Sequence, residues 1–232
     1  MKILAIIPAR GGSKGVTGKN IKFLNGKPLL AFTAEIALQS HYFTEVIVST
    51  EDEQISIVAK SLGIKVPFIR PMALAKDNTP TIDVIIHALN WYESRNFFFD
   101  AVCLLQPTSP FRTLKFMNEA IEKFTLSDCD SLVSVQRVPR EYNPHWVFEV
   151  NDDGNLKIAT GEAEIISRRQ ELPLAYHRDG SIYITKTEVI LKQHSLYGKS
   201  IAYIESDADF YVNIDTMEDW EKAEEMIQNK LK

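Results

Sequence analysis

A loop near the start of the chain, Arg10–Asn20, combines the features an anion site needs. It holds Gly11, Gly12, Gly15 and Gly18, interleaved with the cations Arg10, Lys14 and Lys19. Glycine lets backbone amides approach an anion closely, and the cations neutralise its charge. The loop leaves a near-continuous apolar run, Lys2–Ile7, of the kind expected for a central parallel strand buried on both faces. This composition in this place predicts a polyphosphate site. Two common phosphate loops do not match it. The pattern G-x-G-x-x-G does not occur. The P-loop spacing is missed because five residues separate Gly12 from Gly18-Lys19, where about four are required, and Asn20 replaces the magnesium-binding hydroxyl.

A scaffold that could hold such a loop is legible in the apolar pattern. Pro28–Ser40 has helical spacing, with Pro28 suited to open it. Val46–Ser49 reads as a strand running into the acidic start of a helix, Thr50-Glu51-Asp52-Glu53, which continues to a C-cap at Gly63. A short strand is predicted at Lys65–Ile69, followed by a polar loop, Arg70–Thr79, and a helix from Pro80. Ala101–Leu105 is the next strand and ends at Gln106-Pro107-Thr108-Ser109-Pro110. Thr113–Leu126 then reads as a helix and Ser131–Gln136 as a strand. Such alternation predicts an α/β fold with a mostly parallel, Rossmann-like sheet and helices on both faces. Ligands of these sheets sit beyond the carboxyl ends of the strands, and the loops at 8–20, 70–79 and 106–112 all lie there.

The rhythm breaks at Arg137. Residues 138–176 contain Pro139, Pro144 and Pro173 and a turn signal, Asp152-Asp153-Gly154-Asn155, and read as an inserted β-rich arm. Residues 1–137 and 177–232 are left as the nucleotide-binding catalytic domain. Strands are predicted at Ser181–Thr185, Ser200–Ile204 and Phe210–Ile214, and an amphipathic helix from Thr216.

Composition removes several function classes. A net charge of −5 argues against a nucleic-acid partner and against a polybasic membrane anchor. No apolar stretch approaches the ~20 residues of a membrane span, so no membrane partner is expected. Cys103 and Cys129 both fall in apolar segments and read as buried thiols of a reducing compartment. A cytoplasmic location is the expectation.

Ile7-Pro8-Ala9-Arg10-Gly11-Gly12-Ser13-Lys14-Gly15, followed by Lys19-Asn20, resembles the N-terminal signature of the acylneuraminate cytidylyltransferases, the CMP-sialic acid synthetases. Further along, Arg70-Pro71, Leu74-Ala75 and Asp77 resemble that family's R-P-x-x-L-A-x-D loop. Leu105-Gln106-Pro107-Thr108-Ser109-Pro110-Phe111-Arg112 resembles its L-Q-P-T-S-P-x-R motif, and Gly180-Ser181-Ile182-Tyr183 its G-A-I-Y strand. Ile214-Asp215-Thr216 lies in its metal-binding segment, so the resemblance spans nearly the whole chain in order.

The resemblance implies a nucleotide-diphospho-sugar transferase fold with a small dimerisation arm at 138–176. It implies an N-acylneuraminate cytidylyltransferase that moves CMP from CTP to the anomeric hydroxyl of an acidic nine-carbon keto sugar and releases pyrophosphate. Legionaminate, pseudaminate and an eight-carbon keto acid are the alternative acceptors. Arg10, Ser13, Lys14, Lys19 and Asn20 would hold the nucleotide and its phosphates, and Arg70, Asp77 and Thr79 would line its pocket. Gln106 would lie between nucleotide and sugar, and Lys19, Gln106 and Asp215 would form the catalytic set. For Arg112, an exposed position at a helix entry is as good a reading as a role in the site.

The sugar carboxylate calls for a forked cation. Arg168, Arg169 and Arg178 are the available groups, of which Arg168 or Arg169 best matches the family's sugar-contacting arginine; Tyr183 matches a sugar-pocket tyrosine of that family, and His145 lies in the segment matching its sugar-site loop. A homodimer is implied as well, with Leu196-Tyr197 matching a hydrophobic pair contributed by the partner subunit.

One segment departs from the family. The familiar enzymes carry two aspartates in D-x-D spacing, where this chain has Asn213-Ile214-Asp215. On a strand, positions two apart project to the same face, so both oxygens could reach one ion. Magnesium commonly takes one or two carboxylates plus waters and substrate phosphates. Asp215 is therefore expected to be the principal Mg2+ ligand and Asn213 a secondary or water-mediated one.

Overall fold

The computed structural model describes residues 1–231 of the chain. Its strands are β1 (Ile3–Pro8), β2 (Phe23–Leu24), β3 (Lys27–Pro28), β4 (Glu45–Ser49), β5 (Ala101–Leu104), β6 (Ser131–Arg137), β7 (Phe148–Val150), β8 (Leu156–Ile158), β9 (Tyr176–Lys186) and β10 (Ile201–Glu205). The α-helices are α1 (Leu29–Gln39), α2 (Glu53–Ser61), α3 (Thr81–Glu93), α4 (Leu114–Leu126), α5 (Thr187–Gln193) and α6 (Met217–Leu231).

The main sheet runs in the order β10-β6-β9-β5-β1-β4. β1 pairs parallel with both β4 and β5, β6 pairs parallel with β10, and β9 is antiparallel to both of its neighbours. The mostly parallel α/β sheet is thus as the alternation predicts, with one strand reversed. Alternation along β1 explains its apolar run. Ile3, Ala5 and Ile7 pack into one core with residues of α1, α2 and α4, while Leu4 and Ile6 pack into another with residues of α3 and Ile190 of α5. Helices accordingly cover both faces. A third cluster joins Val16 of the glycine loop, Val212, Ile214 and Trp220 of α6.

Two predicted strands do not form. Lys65–Ile69 makes only isolated bridges, Ile47 to Lys65 and Thr50 to Ile69, at the ragged edge beyond β4. Phe210–Ile214 pairs with no strand; Val212 and Ile214 are instead buried under α6. Its apolar alternation reflects packing against a helix.

β9 also carries a wide bulge. Opposite β6, Tyr183 faces Val133 and Arg178 faces Val135, so the residues between them, Asp179–Ile182, bow out of the ladder. Gly180 at its crest has φ +81°, a conformation that only glycine takes readily.

Between β6 and β9 the chain makes an excursion. β7 and β8 form a hairpin around the predicted Asp-Asp-Gly-Asn turn, where Gly154 has φ +79°. Buried Asn143 ties the excursion together by donating to Pro173 O at 2.9 Å.

Candidate active site

The carboxyl ends of β1 and β5 open onto one pocket of about 590 Å3. It gathers residues from four separate stretches: Arg10, Ser13, Lys14, Lys19 and Asn20; Arg70, Asp77 and Thr79; Gln106; and Asn213 with Asp215. These include the whole of the predicted nucleotide set and the predicted catalytic set.

Local order in the glycine loop comes from below. Gly11 N donates to Glu51 Oε1 at 2.8 Å, and the other carboxylate oxygen takes Arg70 Nη2 at 2.5 Å. The Arg70 and Glu51 side chains are only 3% and 8% exposed, so the pair is buried beneath the loop, with Arg70 reaching the pocket lining. Removing one partner of such a buried pair costs about 3–5 kcal/mol, because the other charge is stranded. Asp52 caps α2 by accepting from Ile55 N at 2.9 Å. Asn20 is buried and donates to Arg10 O at 3.0 Å, which closes the loop on itself.

Each cation of the cradle meets a carboxylate. Asp77 bridges Arg10 Nη1 at 2.7 Å and Lys14 Nζ at 2.5 Å. The hydrogen bond from Lys14, and then the charges of Lys14 and Arg10, hold the Asp77 carboxyl below its usual range. Asp77→Asn keeps the shape and removes the negative charge that competes with a triphosphate for these cations. Calorimetric titration should find CTP bound severalfold more tightly by this variant, with the gain shrinking as salt rises. Weaker binding would show that the carboxylate itself contacts the nucleotide.

Lys19 crosses to the far end of the sequence. Its Nζ donates to Ile214 O at 2.7 Å and lies 3.1 Å from Asp215 Oδ1. Asp215 Oδ2 accepts from Asn213 Nδ2 at 2.7 Å. The two residues therefore do face each other, although the segment is not a strand. Asp219 fixes their main chain. Its Oδ2 accepts from Asp215 N at 2.9 Å and from Thr216 N at 2.8 Å, while Thr216 Oγ1 accepts from Asp219 N at 3.2 Å. This is a capping box at the start of α6. Burial alone would raise the Asp219 carboxyl, but these bonds hold it below its ordinary range.

An ion would find suitable donors here. The Asp215 side chain is 64% exposed, and both Asp215 and Asn213 line the pocket. No group of three His, Cys, Asp or Glu side chains converges on one point among the described residues. The donor set suits a hard cation that takes the rest of its oxygens from substrate phosphates.

The predicted sugar-side residues divide. Arg178 Nη1 donates to Tyr197 OH at 2.7 Å, and the Tyr183 and Tyr197 rings lie 6.3 Å apart. That hydrogen bond raises the Arg178 pKa, and burial raises that of Tyr183. These three residues form a cluster on β9 and the turn before β10, outside the lining of the cradle pocket. Tyr197 contacts Arg178 and Tyr183 of its own chain. Arg168 and Arg169 are not brought to the pocket of their own chain; both are exposed and lie near Glu171 and Glu141. His145, in the excursion, meets Glu162 at 2.8 Å.

Glu51 and Asp219 were not among the predicted site residues. Their signals were present: Glu51 follows a strand at its ligand-bearing end, and Thr216-x-x-Asp219 has capping-box spacing.

Fold and cradle together define a nucleotidyltransferase-type α/β protein. A sequence profile of the cytidylyltransferase family matches residues 4–231. The chain is 37% identical over 229 residues to the CMP-N,N'-diacetyllegionaminic acid synthase of Legionella pneumophila, covering 98% of this chain and 97% of that one. It is 34% identical to the pseudaminic acid cytidylyltransferase of Campylobacter jejuni, with 96% and 95% covered. The N-acylneuraminate cytidylyltransferase of Escherichia coli is 37% identical over 231 residues; 99% of this chain spans 53% of that protein. A solved CMP:2-keto-3-deoxy-manno-octonic acid synthetase complexed with CTP shares the fold, with a TM-score of 0.75 at 19% identity and coverage of 99% and 100%. The chain belongs to the cytidylyltransferase family.

Among the described residues, no helix is long and apolar enough to cross a membrane.

Proposed function

We propose that the chain transfers CMP from CTP to the anomeric hydroxyl of an acidic nine-carbon keto sugar, N-acetylneuraminate or a relative. The observation that carries this reading is the junction of Lys19 with Asp215 and Ile214 O, in one pocket with Arg10, Lys14 and Gln106. In the reaction, the oxygen of the anomeric hydroxyl forms a bond to the α-phosphorus as the bond to the bridging oxygen breaks; the hydroxyl proton passes to solvent and pyrophosphate leaves. Charge neutralisation and alignment supply most of the rate in such transfers.

Arg10 and Lys14 neutralise the triphosphate, and the loop amides add donors. Lys19 stabilises charge at the reacting phosphate. Gln106 separates nucleotide from sugar and orients the acceptor. Mg2+, held by Asp215 with Asn213 as a secondary ligand, would draw charge from the phosphates and favour departure of pyrophosphate. Arg178, with Tyr183 and Tyr197 around it, takes the sugar carboxylate.

The protein acts as a homodimer in the cytoplasm. Exposed apolar side chains in the excursion, among them Val150, Leu156 and Leu174, support a partner surface there. Arg168 and Arg169 sit on the same excursion and would serve a site only across that interface.

A second reading, a legionaminate-type acceptor, is favoured by one observation. The Legionella relative matches end to end, whereas the N-acylneuraminate enzyme extends well beyond the matched part. Rates of pyrophosphate release with N-acetylneuraminate, diacetyllegionaminate, pseudaminate and an eight-carbon keto acid decide between them. The highest kcat/KM identifies the acceptor. Silence with every acid would refute the proposal.

A further inference from the structure

Arg112 is a charged group held in the interior. It is 6% exposed, and burial pushes its pKa down to about 10, which leaves it protonated at neutral pH. All of its acceptors are neutral. Nε donates to Ser181 O at 2.8 Å and to Ser181 Oγ at 3.2 Å, Nη1 to Thr33 Oγ1 at 3.2 Å, and Nη2 to Gln106 O at 2.9 Å. Burying a cation is costly. The charge of buried Asp179 offsets part of that cost, but no carboxylate bonds to the guanidinium directly, and a hydrophobic side chain of similar volume commonly serves stability as well or better. The geometry of its bonds points to a different use.

Those bonds converge on the place where Gln106 meets the bulge of β9. A Cβ at Gly180 would lie 3.3 Å from Gln106 Oε1 and 3.8 Å from Asn213 Oδ1, so both side chains abut the crest of the bulge. The next residue, Ser181, is fixed on both sides. Its N–H donates to Asp179 Oδ1 at 2.8 Å, and its carbonyl accepts from Arg112. Asp179 in turn accepts from Ser134 Oγ, and its carbonyl accepts from Tyr211 OH. The guanidinium therefore holds the Gln106 main chain and the bulge in one rigid fork, which the single ammonium of a lysine cannot reproduce.

We propose that Arg112 is a positioning residue: by locking Gln106 O to Ser181, it aims the Gln106 side chain into the space between nucleotide and acceptor sugar. This rests on the reading of Gln106 given above. Such a residue acts on the acceptor and on turnover and leaves the phosphate cradle alone, because none of its bonds reaches Arg10, Lys14 or Lys19.

The test compares R112M, R112K, Q106A and the R112M/Q106A double variant, using CTP affinity by calorimetry together with kcat and the KM for the sugar acid. R112M is expected to keep CTP affinity within about threefold, while kcat/KM for the sugar falls about thirtyfold or more, the scale of a modest misplacement at a reacting centre. R112K should recover little of that loss, and it carries the comparison if the methionine variant does not fold. The double variant should be no slower than Q106A alone, since both changes remove one function. Wild-type turnover in R112M, an equal loss of CTP affinity and turnover, or additive losses would each overturn the proposal. Full activity in Q106A would remove the underlying reading of the site, and the proposal with it. An impaired Q106A beside an unimpaired R112M would overturn the proposal alone.

Discussion

Asp215→Ala is expected to lower magnesium-dependent CMP transfer by about a hundredfold or more, the scale of losing a fixed charge contact at a reacting phosphate. The carboxylate is exposed to the pocket and is shared between Lys19 Nζ and Asn213 Nδ2. Its loss takes away the only negative charge in the Asn213-Ile214-Asp215 segment. Lys19 retains its bond to Ile214 O, and the Asp219 cap still holds the main chain, so the fold should persist. CTP binding without divalent ions should survive, since the removed charge repels phosphate. Asn213→Ala should do far less, because a neutral amide contributes less to the hold on an ion. Unaltered magnesium dependence in the Asp215 variant would show that the ion is held elsewhere.

Gly15→Ala should be nearly as damaging for a steric reason. A Cβ on Gly15 would lie 1.9 Å from Asp215 O, a main-chain atom pinned by the α6 cap. Neither side can yield cheaply. The glycine loop must lift away from the segment before α6, and that separates Lys19 from Asp215. Misplacement of about 1 Å at a reacting centre costs on the order of a hundredfold. The expected result is a loss of about that size in kcat/KM, with CTP affinity falling as well. Normal kinetics in this variant would mean that the two segments are not in contact in the working enzyme.

These two predictions turn on a contact between residues about two hundred positions apart, and the reasons it was partly legible are physical. Glycine and cation spacing after an apolar run predicts the cradle because both ingredients are local. The β1 run is readable because its burial on both faces leaves no polar alternation. The reversed direction of β9 and its bulge depend on long-range pairing that no local pattern carries. Phe210–Ile214 alternates like a strand, yet its apolar residues are satisfied by α6. Lys65–Ile69 has strand composition but lies at a sheet edge, where only single bridges form.

Side-chain burial was the least readable property. Arg112 stands at the entry to a helix, where an exposed position was an equal expectation, and it turns out to be enclosed by four neutral acceptors. Arg168 and Arg169 have the chemistry to hold a carboxylate, but the excursion keeps them away from the pocket of their own chain. Arg178 has the same chemistry and lies beside Tyr183 and Tyr197 because β9 carries it there. Glu51 carried only a positional hint, since its contacts to Gly11 and Arg70 exist only once three loops have met.

The central claim is that this pocket transfers the α-phosphorus of CTP to an acidic sugar. Incubation of the protein with CTP labelled at the α-phosphorus, Mg2+ and a nine-carbon keto acid tests it most directly. The account predicts that the label moves into a new CMP-sugar ester and that unlabelled pyrophosphate appears in equal amount, only when the acid is present. Label released as free CMP at the same rate without any sugar would contradict it.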